Sequence, residues 1–292
     1  MTASDLAIVS LSPATEADMV ALVNAYTRGW PYTRPIDAGL LAHWPILGDR
    51  YQPANMLIAY AAGRPLAFAH GESRGREYFV HLLALAPGAV AAGVALLAEI
   101  ERRARAAEAK GICGPTCSSG AFYGGYLLGL EPYHPHWASD ATDAFVQAGF
   151  VMTQSEAFMV ADLSADPPQF APPADYEIAD ANADPEFKAR VFRLVALSQG
   201  KEVATCGGRL YPELRAADRP IGQLGFVGAD EAHRGKGLAT ALVSRSLHLL
   251  RDWGAGLVLI STGFENAPAL RAYEKAGFRR KHNLNEWSKP LV

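Results

Sequence analysis

The chain has 292 residues, about twice a typical domain length, so two domains are expected, with one large α/β domain as the other option. Half of the residues are apolar and a fifth are charged, and 27 Lys and Arg stand against 30 Asp and Glu for a formal net charge of −3, which excludes a disordered chain. The basic residues are scattered among the acidic ones, and the densest cluster, Arg279–His282, is short, so no nucleic-acid partner is expected.

The first residues carry Asp5, Glu16 and Asp18 with no basic stretch ahead of an apolar core, so they do not read as a signal peptide. The longest apolar run, Ala89–Ala98, is far shorter than a membrane span. No membrane partner and a cytoplasmic location are therefore expected. Three cysteines, Cys113, Cys117 and Cys206, form no disulfide framework. A zinc site built from Cys113 and Cys117 with His134 and His136 is disfavoured, because the cysteine gap is three residues and the segment between is rich in Gly and aromatics. No metal is expected.

In chain order, IVSLSPATEADMVALVNAY reads as a strand, a Thr15/Asp18 capping signal and a helix. MLIAYAAGRPLAFAHGE reads as a hairpin, EYFVHLLALAP as a strand and Val90–Ala109 as a long helix. A Gly/Tyr/His-rich stretch, GAFYGGYLLGLEPYHPHWASD, leads into a helix ending in AFVQAGF. Four prolines then mark Ala161–Asp175 as a linker, since proline withholds the donor that a helix or central strand needs. Beyond it, Tyr176–Ala179 reads as a strand, and Asp184 with Pro185 opens a helix running to about Gln199. Lys201–Tyr211 and Ile221–Ala229 read as strands, Leu238–Trp253 as an amphipathic helix, Gly256–Ser261 as a buried strand and ENAPALRAYEKAG as a last helix.

The two halves repeat one order of elements and one closing signature, AFVQAGF ending at Phe150 and AYEKAGF ending at Phe278, which implies duplication of one α/β fold. Aligned on Gly93 and Gly237, the first copy is longer by about 16 residues (150 − 93 against 278 − 237), and these fall in the Gly/Tyr/His-rich stretch. That insertion is a functional loop or a flap over an edge.

The stretch AHRGKGLATAL, Ala232–Leu242, carries the chemistry. A strand enters an Arg-Gly-Lys-Gly turn just before a helix, whose first amides lack internal acceptors and whose dipole favours an anion. Glycine lets a ligand approach the backbone, so the loop is either a phosphate cradle or a tight surface turn. Lys236 precedes Gly237 where a P-loop has the reverse order, and no GxGxxG occurs, which disfavours a nucleoside triphosphate or a dinucleotide.

Two motifs together resemble the GNAT superfamily of acyl-CoA N-acyltransferases. Arg234, Gly235, Lys236, Gly237, Leu238 and Ala239 are similar to its Arg/Gln-x-x-Gly-x-Gly/Ala pyrophosphate loop, and Asn266, Tyr273, Gly277 and Phe278 to its later Asn, Tyr and Gly-Phe motif. The resemblance implies an α/β fold of two tandem GNAT domains, each a central mixed sheet flanked by helices. These would be residues 1–163 as a degenerate, non-catalytic copy, 164–173 as linker and 174–292 as the catalytic domain. It also implies acetyl-CoA as co-substrate. Val227, Gly228 and Ala229 would meet its acyl and pantetheine part, Arg234 to Thr240 its pyrophosphate, and Asn266 the pantetheine arm. Tyr273 would protonate the departing thiolate.

The implied activity is transfer of an acetyl group to a primary amine by direct attack in a ternary complex. The acceptor would be a small molecule or a peptide, and the protein a monomer or homodimer. An acyl-CoA-binding module without turnover, and transfer of a longer acyl group, are the alternatives. The acceptor pocket is expected from the first helix region, Cys206–Leu214 and the insertion with Tyr123, Tyr126, Tyr133 and Trp137, rings that fill a core equally well.

Two departures matter. Where relatives that acetylate protein N-termini carry a glutamate base, this chain has Ser261; the strand entering the loop offers only Gln223, and Glu202, Glu265 and His233 are open alternatives. In the first half Val90-Ala91-Ala92-Gly93 replaces the Arg-Gly-Lys-Gly turn, Ala138 stands for Asn266, and Phe145, which cannot donate a proton, stands for Tyr273.

Overall fold

The computed structural model describes residues 6–30, 35–37, 52–115, 134–181, 191–216 and 218–291. In chain order the elements are β1 (Ala7–Ser10), α1 (Glu16–Tyr26), β2 (Met56–Ala61), β3 (Arg64–Arg74), β4 (Glu77–Leu85), α2 (Val90–Ala106), β5 (Gly111–Gly114), β6 (His134–Pro135), α3 (Ser139–Gln147) and β7 (Val151–Asp162). They continue as β8 (Glu177–Asp180), β9 (Val191–Ser198), β10 (Lys201–Ala216), β11 (Arg219–Ala229), α4 (Leu238–Asp252), β12 (Leu257–Gly263), α5 (Ala267–Ala276) and β13 (Arg279–Pro290).

Two compact units emerge, Met1–Ser155 with Leu284–Val292, and Glu156–Asn283. Each is a mixed sheet with the same strand order. The first runs β1-β2-β3-β4-β5 and closes with the end of β13, whose Trp287–Pro290 pair antiparallel with Gly111–Gly114. The second runs β8-β9-β10-β11-β12 and closes with the end of β7, whose Glu156–Asp162 pair antiparallel with Leu257–Gly263. The closing strand of each sheet is thus encoded in the opposite half of the sequence. The proline-rich stretch, expected as a linker between domains, lies inside the second unit and is tied to α4: Ser244 Oγ donates to the Pro168 carbonyl at 2.7 Å and accepts from the Phe170 amide at 3.0 Å.

Both sheets open with a hairpin of one design. Ala62 and Gly63 (φ 47° and 74°) turn β2 into β3, and Gln199 and Gly200 (φ 51° and 74°) turn β9 into β10. Such turns match the twist of the paired strands. This overrides the helix expected up to Gln199: Val191–Ser198 is strand β9, whose β-branched and aromatic residues pair with β10 from Ser198↔Lys201 to Val191↔Arg209. The start of that expected helix, residues 182–190, lies outside the described residues. The Thr15 capping signal also resolves differently, since its hydroxyl accepts from the Ser12 amide at 3.0 Å instead of capping α1.

Each unit packs its own core. In the second, Leu242, Leu247 and Leu250 of α4 and Leu270 and Ala276 of α5 bury against Met159, Cys206, Leu224, Val258 and Ile260 of the sheet. In the first, Leu96, Leu97 and Ile100 of α2 and Phe145 of α3 pack on Leu57, Val80 and Leu83, and α1 covers the opposite face with Met19, Leu22 and Val23.

Candidate functional site

In the second unit the parallel strands β11 and β12 pair only over Ile221–Gln223 and Leu257–Leu259. Beyond that rung they diverge. On its other edge β11 stays bonded to β10 through Val227, Gly228 and Ala229, opposite Cys206, Thr205 and Ala204, after a bulge that leaves Gly225 between the rungs Gly208↔Leu224 and Gly207↔Phe226. A bulge adds twist and bends its strand, which turns the end of β11 away from β12. The backbone edge of Val227–Ala229 facing the opening is therefore unpaired by β12.

The opening leads to the loop. Gly235 and Gly237 both adopt left-handed φ (76° and 82°), and Gly237 is the N-cap of α4 without a side-chain cap. The first intrahelical bond is Ala241 N–H to the Gly237 carbonyl at 3.1 Å, so the amides from Gly235 to Thr240 come before any helical acceptor. A Cβ on either glycine would meet nothing within 4 Å, which leaves room beside the backbone. Neighbours brace the loop: Arg234 Nε donates to the Ala229 carbonyl at 3.2 Å, Tyr176 Oη lies 3.0 Å from His233 Nδ1, and Lys236 Nζ stands 5.8 Å from the Tyr176 ring centre. A cleft of about 570 Å³ on the outer face of α4, lined by Phe170, Tyr176, Arg245 and His248, contains neither the loop glycines nor Tyr273.

At the other side of the opening, Asn266 caps α5, its Oδ1 accepting from the Ala269 amide and its Nδ2 donating to Thr262 Oγ1, both at 3.3 Å. Two turns on, Tyr273 is 5 % exposed. Burial, and then the charges of Cys206 and Glu156, push its phenol well above the ordinary range, so it stays protonated across physiological pH. It belongs to the same core cluster as Met159, Cys206 and Ile260. The Cys206 thiol is pushed to about 12 by the same burial, which the bond to Ser246 opposes, and is inert as a nucleophile.

Among the open alternatives for a base, Glu202 is engaged by Arg193 at the sheet surface, His233 by Tyr176, and Glu265 is exposed. Gln223 is buried and accepts from Tyr211 Oη at 2.6 Å. A carboxylate that motif spacing does not reveal is also present. Ser261 Oγ donates to Glu156 Oε2 at 2.6 Å, and Glu156 is 8 % exposed. Its signal in the sequence is a single acid heading the apolar run Ala157–Ala161.

The counterpart in the first unit is closed. β4 and β5 again pair over three rungs, Glu77–Phe79 with Gly111–Cys113. The connection into α2 is only Ala86–Ala89, and the Gly88 amide donates to Asp140 Oδ2 at 2.7 Å. Ala89, not Gly93, is the N-cap; Gly93 sits inside α2, where a Cβ would come within 2.9 Å of Ala144 and Leu85. The expected alignment of Gly93 with Gly237 is thereby corrected. From the N-caps the first copy is longer by about 20 residues (150 − 89 against 278 − 237). Ala138 holds the N-cap position of α3 without the side-chain bond that Asn266 gives α5, and Phe145 stacks on Trp287 at 5.7 Å. Most of the insertion, residues 116–133 with Cys117, Tyr123, Tyr126 and Tyr133, lies outside the described residues, and Trp137 packs on Trp30. Among the described residues no cluster of three or more His, Cys, Asp or Glu could hold a metal, and no helix is long and apolar enough to cross a membrane.

A splayed pair of parallel strands, a glycine loop with amides free of helical acceptors at the start of the next helix, and a buried tyrosine on the helix after make up the site. Residues 157–278 match the model of the acetyltransferase (GNAT) family. The whole chain has the tandem GNAT fold. It superposes on a GCN5-related N-acetyltransferase from Sphaerobacter thermophilus with TM-score 0.71 over 99 % of this chain and 97 % of that one, at 18 % identity. It superposes equally on a tandem GNAT protein from the clavulanic acid biosynthesis pathway, with TM-score 0.69 over 98 % of each chain at 16 % identity. In sequence it is similar to the mycothiol acetyltransferases of Rhodococcus erythropolis, 42 % identical over 65 residues, and Catenulispora acidiphila, 31 % identical over 105 residues. These matches cover 22 % and 36 % of this chain and 22 % and 33 % of those enzymes, so the chain spans a third or less of the length of both.

Proposed function

We propose that the second unit is an N-acetyltransferase that binds acetyl-CoA along the opening between β11 and β12 and passes the acetyl group to a small-molecule primary amine. The reading is carried by one juxtaposition: unpaired amides at Gly235–Thr240 on one side of the opening and a buried, protonated Tyr273 on the other. The amides and the dipole of α4 hold the pyrophosphate, with the left-handed glycines allowing contact with the backbone. The edge of Val227–Ala229 hydrogen-bonds the pantetheine amides, and Asn266 lies along the same arm. The amine attacks the thioester carbonyl directly, and the Tyr273 phenol protonates the departing thiolate, a strong base in a dry cleft. The first unit binds no cofactor and serves to complete the fold.

The test is acetyl-CoA-dependent thiol release across a panel of amines, beginning with mycothiol-type amines because of the names of the relatives. Turnover with at least one amine is expected. Tight acetyl-CoA binding with no thiol release across small amines, amino acids and peptides would refute it in favour of a binding module.

A further inference from the structure

We propose that Glu156 is the proton acceptor of this site, a role that rests on the transferase reading above and concerns a residue outside both motifs. Its strand explains how it gets there. Along the end of β7, Ala157, Met159 and Ala161 bury in the cluster that holds Tyr273, so by alternation Glu156, Phe158 and Val160 point to the opposite face of the sheet. Ser261 and Phe158 are direct partners across the ladder, and Glu156 reaches Ser261 diagonally. Ser261 lies two residues past Leu259, the last rung that β12 shares with β11, so the pair sits where the opening begins. The helices and the Tyr273 acid are on one face and the carboxylate on the other, with the two close enough that the charge of Glu156 adds to the upward push on the phenol.

This arrangement supplies what Ser261 cannot do alone. Glu156 is 8 % exposed and accepts from the Ser261 hydroxyl where the opening begins. An arriving ammonium gives it a proton to accept. Its first proton passes to Glu156; the freed nitrogen forms a bond to the carbonyl carbon as the tetrahedral adduct builds. Collapse breaks the C–S bond, sulfur takes the Tyr273 proton, and the second nitrogen proton returns to the phenolate through solvent. Glu156 then releases its proton to water, leaving an amide, a free thiol and one proton. The ionisable groups whose charges act together here, the Tyr273 phenol and the Cys206 thiol, are both pushed upward by burial and stay neutral.

Glu156→Gln keeps the size and the Ser261 hydrogen bond while removing the basicity. With an amine that the wild-type chain turns over, kcat is expected to fall on the order of 10²–10⁴-fold, while the acetyl-CoA dissociation constant stays within about twofold. The lost rate should recover about tenfold per pH unit as the free amine fraction grows, and Glu156→Asp should be intermediate. Wild-type kcat in the glutamine variant overturns the role and leaves the transferase reading intact. If the wild-type chain turns over no amine, the transferase reading falls and this role with it. Should Glu156→Gln fail to fold, Ser261→Ala decides: a several-fold drop in kcat with unchanged cofactor affinity supports the positioned carboxylate, and an unchanged kcat overturns it.

Discussion

The connection from β11 to α4 spans eight residues, Asp230–Gly237, while its counterpart from β4 to α2 spans four, Ala86–Ala89. Both precede a long helix and both follow a strand that parts from its parallel neighbour after three rungs. The longer loop ends in two left-handed glycines with open space beside them, whereas the shorter one gives its Gly88 amide to the carboxylate of Asp140. One helix start keeps amides without an acceptor inside the chain, and at the other the Gly88 amide is taken by Asp140. The difference extends to the next helix, where a buried phenol in one unit is replaced by Phe145, stacked on Trp287 and edge-on to Phe150, in the other. A duplicated fold keeps its strand order easily, because burial dictates that; a site persists only while its loop length, its glycines and one hydroxyl all do.

The sharpest way to break the comparison is to make the second unit resemble the first at that hydroxyl. Tyr273→Phe removes the acid and keeps the ring, so kcat should fall by about 10²–10⁴-fold, with acetyl-CoA affinity preserved by calorimetry. An unchanged kcat would assign the acid elsewhere. Next in size is the loop. Gly237→Ala forces a Cβ into left-handed backbone at a cost of roughly 1–2 kcal/mol. Acetyl-CoA affinity should weaken about five- to thirtyfold, while the melting temperature shifts little if the loop relaxes when the ligand is absent.

Much of this was legible in the sequence, for reasons that individual residues make plain. Arg234 to Ala239 and Asn266 to Phe278 are local patterns, so their spacing alone fixes a helix start, a cap and a phenol two turns on. The helix expected to reach Gln199 gives way over Val191–Ser198 because a Gln-Gly turn with two left-handed residues folds that stretch into a hairpin with β10. Gly93 misled because a glycine inside a helix, packed on Ala144, looks in a sequence like a glycine ahead of one. Glu156 was not legible, because strand exchange is a property of pairing between distant segments. Residues 174–292 contain both motifs, yet the strand that carries Glu156 to Ser261 precedes them.

The two glycines offer a smaller and opposite test. Gly93→Ala places a Cβ 2.9 Å from Ala144 and Leu85, overpacking that costs about 1–3 kcal/mol. It should lower the unfolding midpoint and leave acetyl-CoA affinity unchanged, the reverse of the Gly237→Ala signature. If it instead weakens cofactor binding, the first unit is not the inert copy it resembles.

The smallest effect is the most discriminating. If the first unit is closed by its own carboxylate and also lacks the loop length, the second glycine and the phenol, then freeing the Gly88 amide should not create a site. Asp140→Ala removes both the acceptor of the Gly88 amide and its charge, and because that bond is exposed its loss should cost stability little. Titration calorimetry should give one acetyl-CoA per chain for the wild type and still one for the variant. A second binding event on replacing Asp140 would mean that a single carboxylate is what silences the first copy, and that the short Ala86–Ala89 connection is no barrier to a pyrophosphate. A stoichiometry that stays at one places the loss in the backbone itself, where four residues and one left-handed glycine cannot wrap a ligand that eight residues and two can.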